Sequence, residues 1–159
     1  MTGWLATSCS ISYSFSGSSV DYTKVSSISI RDFPNVATLV YAPLAQQFSE
    51  ALKDKYTRQT KLRVLPEGGD MDLEGEITGY SFMPLAVAEN TFAAQTRLTI
   101  TVCVRFTNRT DPNQDFERTF SAKSEFDNTF SITDVQDELC DVIMKEIIDL
   151  IYNATVATW

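Results

Sequence analysis

The chain has 159 residues, is 43% apolar and 21% charged, and carries a formal net charge of −8 with no histidine. These proportions are those of a globular protein with one sizeable core, and they exclude a chain disordered throughout. The acidic balance argues against nucleic acid as a partner, and the missing imidazole removes the commonest general base, the commonest metal ligand and every Ser-His or Cys-His pair.

The chain opens on a short apolar stretch and small residues, Leu5-Ala6-Thr7-Ser8, followed by Cys9 and then the serine-rich run Ser10 to Ser19. A signal peptidase needs small side chains at its cut, and an exposed thiol beyond it can accept a diacylglycerol. Cys9 is therefore the expected lipidation site, and its acyl chains would hold the protein to a membrane at about 0.8 kcal/mol per buried methylene. Only eight residues precede it, none of them basic, whereas a full leader carries a positive n-region and a longer apolar run. The expected division is the end of a signal peptide over 1–8, a lipidated cysteine and tether over 9–23, and a single α+β domain over 24–159. No run after Cys9 is apolar enough to span a bilayer. The three cysteines match no metal motif, which leaves Cys103 and Cys140 as a possible pair or, more simply, as two unpaired thiols, since cysteine is commonly buried as a small hydrophobe.

Val25 to Phe33 reads as a first strand, with Ile28 and Ile30 opposite Ser27, Ser29 and Arg31, and Pro34-Asn35 ends it. Pro43 opens a helix, the position where proline is tolerated, and Leu44, Phe48, Leu52 and Tyr56 form its apolar stripe. Lys61 to Leu65 is a short strand closed by Pro66-Glu67-Gly68-Gly69. Strict alternation over Asp72 to Met83 places Leu73, Gly75, Ile77, Gly79, Ser81 and Met83 on one face, with Tyr80 and Phe82 on the other. Over Thr96 to Asn108, Leu98, Ile100, Val102, Val104 and Phe106 share a face. Asp111-Pro112-Asn113 turns the chain into a returning strand, Asp115 to Glu125, which groups Phe116, Phe120 and Ala122 with Arg118. A last helix runs from about Asp134 to Ala157, with Thr133 and Gln136 as a capping box. Its core stripe is Val135, Leu139, Val142, Ile143, Ile147, Leu150 and Ile151, widened by Cys140, Met144 and Ile148. The order predicts a two-layer α+β sandwich, two helices on one face of a mostly antiparallel sheet of four to five strands. The broad arc on the last helix either buries it between sheet and first helix or leaves Met144 and Ile148, with Phe126 and Phe130, to contact another protein.

Little in the chain points to catalysis. Glu74 and Glu76 lie two apart on one strand, where cross-strand pairing with Arg97, Arg105 or Arg118 explains them better than acid–base work. Asp70-Met71-Asp72 lacks the ligand spacing of a calcium loop, and Gly68-Gly69 leads into no helix. No metal or dissociable cofactor is expected. The basic residues fall into two groups, Lys53, Lys55, Arg58, Lys61 and Arg63, then Arg97, Arg105, Arg109, Arg118 and Lys123. Either could hold an anion, or simply complement a helix C-terminus and keep the chain soluble.

Several segments resemble the LptE family of lipopolysaccharide-assembly lipoproteins. They are Ile11-Ser12-Tyr13-Ser14-Phe15-Ser16-Gly17, Ile30-Arg31-Asp32-Phe33-Pro34-Asn35, the helix from Leu44 to Lys55, Leu73-Glu74-Gly75-Glu76-Ile77-Thr78-Gly79-Tyr80 and Arg97-Leu98-Thr99-Ile100-Thr101-Val102. The resemblance implies a non-enzymatic protein anchored by its acylated cysteine to the periplasmic leaflet of the outer membrane. Such a protein plugs the LptD β-barrel, aids its assembly and helps deliver lipopolysaccharide to the cell surface. Basic residues bind lipopolysaccharide in some members; no motif carries them over, so Lys61, Arg63, Arg97 and Arg105 are candidates on charge alone. Other readings are a different envelope lipoprotein adaptor of a secretion or polysaccharide-export complex, a carboxylate-dependent hydrolase or isomerase, and a soluble interaction domain in which Cys9 is incidental.

Overall fold

A computed structural model describes residues 20–86 and 94–156, so Cys9, the tether up to residue 19 and the final residues 157–159 lie outside the described residues. The elements run β1 (Ser27–Ile30), α1 (Leu44–Gln59), β2 (Arg63–Leu65), β3 (Met71–Pro84), β4 (Gln95–Asn108), β5 (Phe116–Asp127) and α2 (Ile132–Thr155), with one 3₁₀ turn at Pro112–Gln114. The strands form one sheet in the order β2-β1-β3-β4-β5. β1 pairs in parallel with both β2 and β3, while β3–β4 and β4–β5 are long antiparallel ladders. The α+β sandwich expected from the sequence is the fold observed, with a mixed sheet of five strands.

One face of the sheet carries the apolar side chains. Leu98, Ile100, Val102, Val104 and Phe106 of β4 are buried, as are Met71, Leu73 and Ile77 of β3. α1 lays Leu44, Phe48, Leu52 and Tyr56 onto this core. Its Ser49 hydroxyl accepts the Phe33 backbone N–H at 2.9 Å and donates to the Ala45 carbonyl at 2.8 Å, so the chain leaving β1 is tied to the helix. Across the helix pair the buried Tyr56 hydroxyl bonds the Thr155 hydroxyl, and burial raises the Tyr56 pKa well above its usual value.

β3 does not alternate throughout. Its register with β4 runs Ile77 to Val102 and then Gly79 to Thr101, so Thr78 is an extra residue and forms a bulge. Because side chains alternate with a period of two, one inserted residue exchanges the faces beyond it. Tyr80 and Phe82 therefore turn into the core, and Met83 turns out to 51% exposure. This corrects the unbroken alternation read from the sequence. Two details of α2 differ as well. It begins at Ile132 behind Ser131, and no side chain caps it. Gln136, expected in a capping box, instead donates its amide to the Tyr80 hydroxyl. The buried stripe is Leu139, Cys140, Ile143, Met144, Ile147, Ile148 and Ile151, whereas Val142 and Leu150 are 50% and 40% exposed. α1 lies beside α2 and claims the Met144 flank, which turns the helix away from the expected centre.

Candidate functional site

The sheet face opposite the helices is open and polar. Down β4 it presents Arg97, Thr99, Thr101, Cys103 and Arg105; down β5, Glu117, Thr119, Ser121 and Lys123. Register places these residues side by side: Glu74 opposite Arg105, Arg105 opposite Glu117, and Arg97 opposite Glu125. The charges then pair as neighbours. Arg105 reaches Glu74 at 3.1 Å and Glu117 at 3.6 Å, Arg31 reaches Glu74 at 3.5 Å, and Arg97 reaches Glu125 at 2.7 Å. The cross-strand reading of Glu74 therefore holds, and two of the four candidate anion contacts, Arg97 and Arg105, have carboxylate partners. Among the described residues Lys61 and Arg63 have no carboxylate within 4.0 Å and are exposed at the C-terminal end of α1. The structure thus separates the four into two ion-paired residues near opposite ends of β4 and two without an ion pair among the described residues near the start of β1.

A groove of about 310 Å³ crosses this face, lined by Arg31, Glu74, Gly75, Cys103, Arg105 and Glu117 among others. Its floor is Gly75. A Cβ there would sit 2.2 Å from the Cys103 carbonyl oxygen and 2.6 Å from the Phe33 ring, so glycine lets the strand and ring close up. Cys103 faces this open side and Cys140 lies on the buried side of α2. The sheet stands between the two thiols, and both are free, as the simpler reading of their spacing expected. Burial pushes the Cys140 thiol up to about 11. Among the described residues no group of three or more potential metal ligands comes together.

The end of the sheet farthest from the start of β1 is aromatic. Tyr41 stacks on Tyr80 with centroids 6.4 Å apart, Tyr80 meets Phe82 edge-on at 5.4 Å, and Phe82 meets Phe126 at 6.5 Å. Burial pushes the Tyr80 hydroxyl up to about 12. Around this ladder Val36, Leu39, Val40, Met83 and Phe130 stand at least half exposed. Of the proposed partner contacts, Phe130 belongs to this tip at 58% exposure and Phe126 is half-buried within the ladder. Met144 and Ile148, by contrast, are at 5% and 4%, inside the contact of α2 with the core. In this fold they are packing residues rather than surface ones. Sequence reasoning passed over the Val36–Tyr41 segment; a run of Val, Leu, Val and Tyr between a strand and a proline-led helix was the available signal.

A family model described as LptE, lipopolysaccharide-assembly, matches residues 25–155. The chain belongs to the LptE family. No curated protein matches it significantly. Among solved structures, a minor lipoprotein from Acinetobacter baumannii is 11% identical, with a TM-score of 0.48 over 77% of this chain and 89% of that one. The rare lipoprotein B from Shewanella oneidensis is 10% identical, with a TM-score of 0.45 over 80% and 89%. The hypothetical protein CT253 from Chlamydia trachomatis is 11% identical, with a TM-score of 0.49 over 81% and 98%. Likenesses this distant add nothing about partners. This LptE-family chain presents two distinct surfaces, the open polar sheet face and the aromatic tip.

Proposed function

We propose that this LptE-family protein is a lipid-anchored, non-enzymatic subunit of the outer-membrane lipopolysaccharide translocon that seats in and plugs an LptD-type β-barrel. The observation that carries the reading is the family match, which spans the folded part of the chain from β1 to the end of α2. The physical character of the open face supports it. Barrel lumens are polar, and a sheet face of threonines, serine and neutralised ion pairs can be exposed to water before assembly and enclosed afterwards. Ion pairs already closed within the chain need no new partner when water is withdrawn.

Among the described residues no helix is long and apolar enough to cross a membrane; attachment in this reading comes from acylated Cys9. The described chain is packed into the core from Val20 and reaches β1 through Ser26, at the same end as Lys61 and Arg63. In this reading these two cations, without an ion pair among the described residues, meet anionic headgroups or lipopolysaccharide. The aromatic tip lies at the other end of β3, roughly 40 Å away at about 3.3 Å per residue. The apolar side chains of that tip are then the part that reaches deepest into the partner.

The test is affinity purification of the tagged precursor, with its complete leader, from outer membranes in mild detergent. A roughly stoichiometric β-barrel of the LptD type is expected by mass spectrometry, with Cys9→Ser lost to the soluble fraction. Membrane-bound protein that brings no such barrel would discard the plug and leave an envelope adaptor.

A further inference from the structure

β5 is the last strand of the sheet, and among the described residues nothing pairs with its outer edge over Phe116–Asp127. A free edge of this length is a template for another strand. Which strand it fits can be read from its own side chains. Residues 117, 119, 121 and 123 point to the open face, and 116, 118, 120 and 122 to the helix face. An incoming antiparallel strand must keep those faces, so two copies of β5 can meet about a twofold only in registers centred on a residue.

The register centred on Phe120 sets Glu117 opposite Lys123 twice and Thr119 opposite Ser121 twice on the open face. On the helix face it sets Phe120 against Phe120 and Arg118 against Ala122. Centring on Ser121 instead opposes Glu117 to Glu125, and centring on Ala122 opposes Glu117 to Asp127, like charges in both cases. Lys123 has no ion pair among the described residues, and Glu117 has only Arg105 at 3.6 Å. Opposite charges directly across a ladder are stabilising and like charges the reverse.

A second, independent feature lies along the same edge. α2 packs over β4 and β5. On one flank, Asp137, Asp141 and Met144 share a groove with Gln47, Glu50, Ala51 and Asp54 of α1. At about 100° per residue, Val142, Glu146 and Leu150 occupy the opposite flank, above the free edge of β5. Val142 and Leu150 are the exposed members of a helix whose other large apolar residues are covered. From the β5–α2 turn, strand and helix rises of about 3.3 and 1.5 Å per residue bring Phe120 level with roughly Ile147. The twofold that pairs Glu117 with Lys123 thus also brings Val142 of one copy toward Leu150 of the other, with Glu146 between them facing its own counterpart.

We propose that the outer edge of β5 is a self-association surface, on which a second copy of this chain adds antiparallel about Phe120 and extends the five-stranded sheet to ten strands. The pairing covers the long outer edge of β5, which no described strand occupies, and Glu146 at its centre keeps the contact reversible. This goes beyond the barrel-plug reading and does not depend on it.

Sedimentation equilibrium of the purified full chain, without any barrel, tests it. A reversible monomer–dimer equilibrium is expected across micromolar to millimolar concentrations. Glu117→Lys or Lys123→Glu alone weakens it by about tenfold or more, because each turns two attractive cross-strand pairs repulsive. The double exchange restores it. Val142→Asp weakens it independently of the ladder, while Lys24→Glu, an equal charge change away from the edge, leaves it unchanged. All four positions are exposed, and circular dichroism verifies that each variant folds. A chain monomeric at every concentration, a dimer insensitive to the single exchanges, or a double exchange that fails to restore association would overturn the proposal. None of these results bears on whether a barrel is the protein's physiological partner.

Discussion

Asp70 joins the start of β1 to the β2–β3 turn. Its carboxylate accepts the Ser26 backbone N–H at 2.8 Å, the Ser27 backbone N–H at 3.2 Å and both serine hydroxyls. The Ser26 N–H is the leading reason its pKa lies below the usual 3.8. A pKa lower in the folded than in the unfolded chain adds stability above the unfolded value, and that contribution is lost as pH falls through the folded one. Asp70→Asn is therefore expected to be less stable than the parent at neutral pH and to lose less on acidification below about pH 5; urea denaturation at several pH values measures both. Gly75 offers a second residue-scale test. Gly75→Ala forces a methyl onto the Cys103 carbonyl and the Phe33 ring, an overpacking expected to cost about 1–3 kcal/mol. Calorimetry should then show a melting temperature several degrees lower, with no change in the spectrum of the folded state.

At the scale of elements, the bulge in β3 decides which aromatics the protein buries. Deleting Thr78 would restore plain alternation while leaving Tyr80 opposite Ile100 and Phe82 opposite Leu98, both still turned inward. That variant is expected to keep the parent's circular dichroism spectrum, and Thr78→Ala, which keeps the bulge, should stay within about 0.5 kcal/mol of the parent. β4 was fully legible because its five inward residues alternate without interruption and both its neighbours are antiparallel. β3 was legible only as far as Ile77. Periodicity carries no mark of an inserted residue when both faces beyond it hold large side chains, here Tyr80 and Phe82 against Met83. The α2 stripe was displaced for a related reason: an apolar arc wider than one contact does not say which of its margins a neighbour will cover, and α1 took Met144 and Ile148 while leaving Val142 and Leu150 out. The serines of β1 show the same limit. Ser27 and Ser29 read as a solvated face, yet both are buried, because the turn at Gly69 and Asp70 folds over them and satisfies their hydroxyls.

Across the whole molecule, the two faces of the sheet are distinct chemical compartments. Cys103 opens to solvent on one side and Cys140 is sealed on the other with its thiol pushed up to about 11. In peptide mapping after a brief native exposure to a maleimide, Cys103 is expected to be modified and Cys140 protected, with no disulfide between them after oxidation. On the sheet, Arg97 takes Glu125 and Arg118 lies over the Phe116 ring, pairings that charge pattern alone did not fix, whereas the pair of Glu74 with Arg105 was readable from sequence. The aromatic tip was not, since it requires the Val36–Tyr41 segment to fold back onto Tyr80, a contact with no local signature. The topology also has a mechanical consequence. Ahead of β1, Val20 and Val25 are buried in the core and a turn at Asp21 leads to Ser26, where the chain runs into β1, held in parallel ladders by β2 on one side and β3 on the other and pinned by Asp70. A pull on the segment ahead of β1 against a load at the distal tip would act along these strands, so the bonds flanking β1 would shear together instead of unzipping in turn. The domain is built to bear tension along its length.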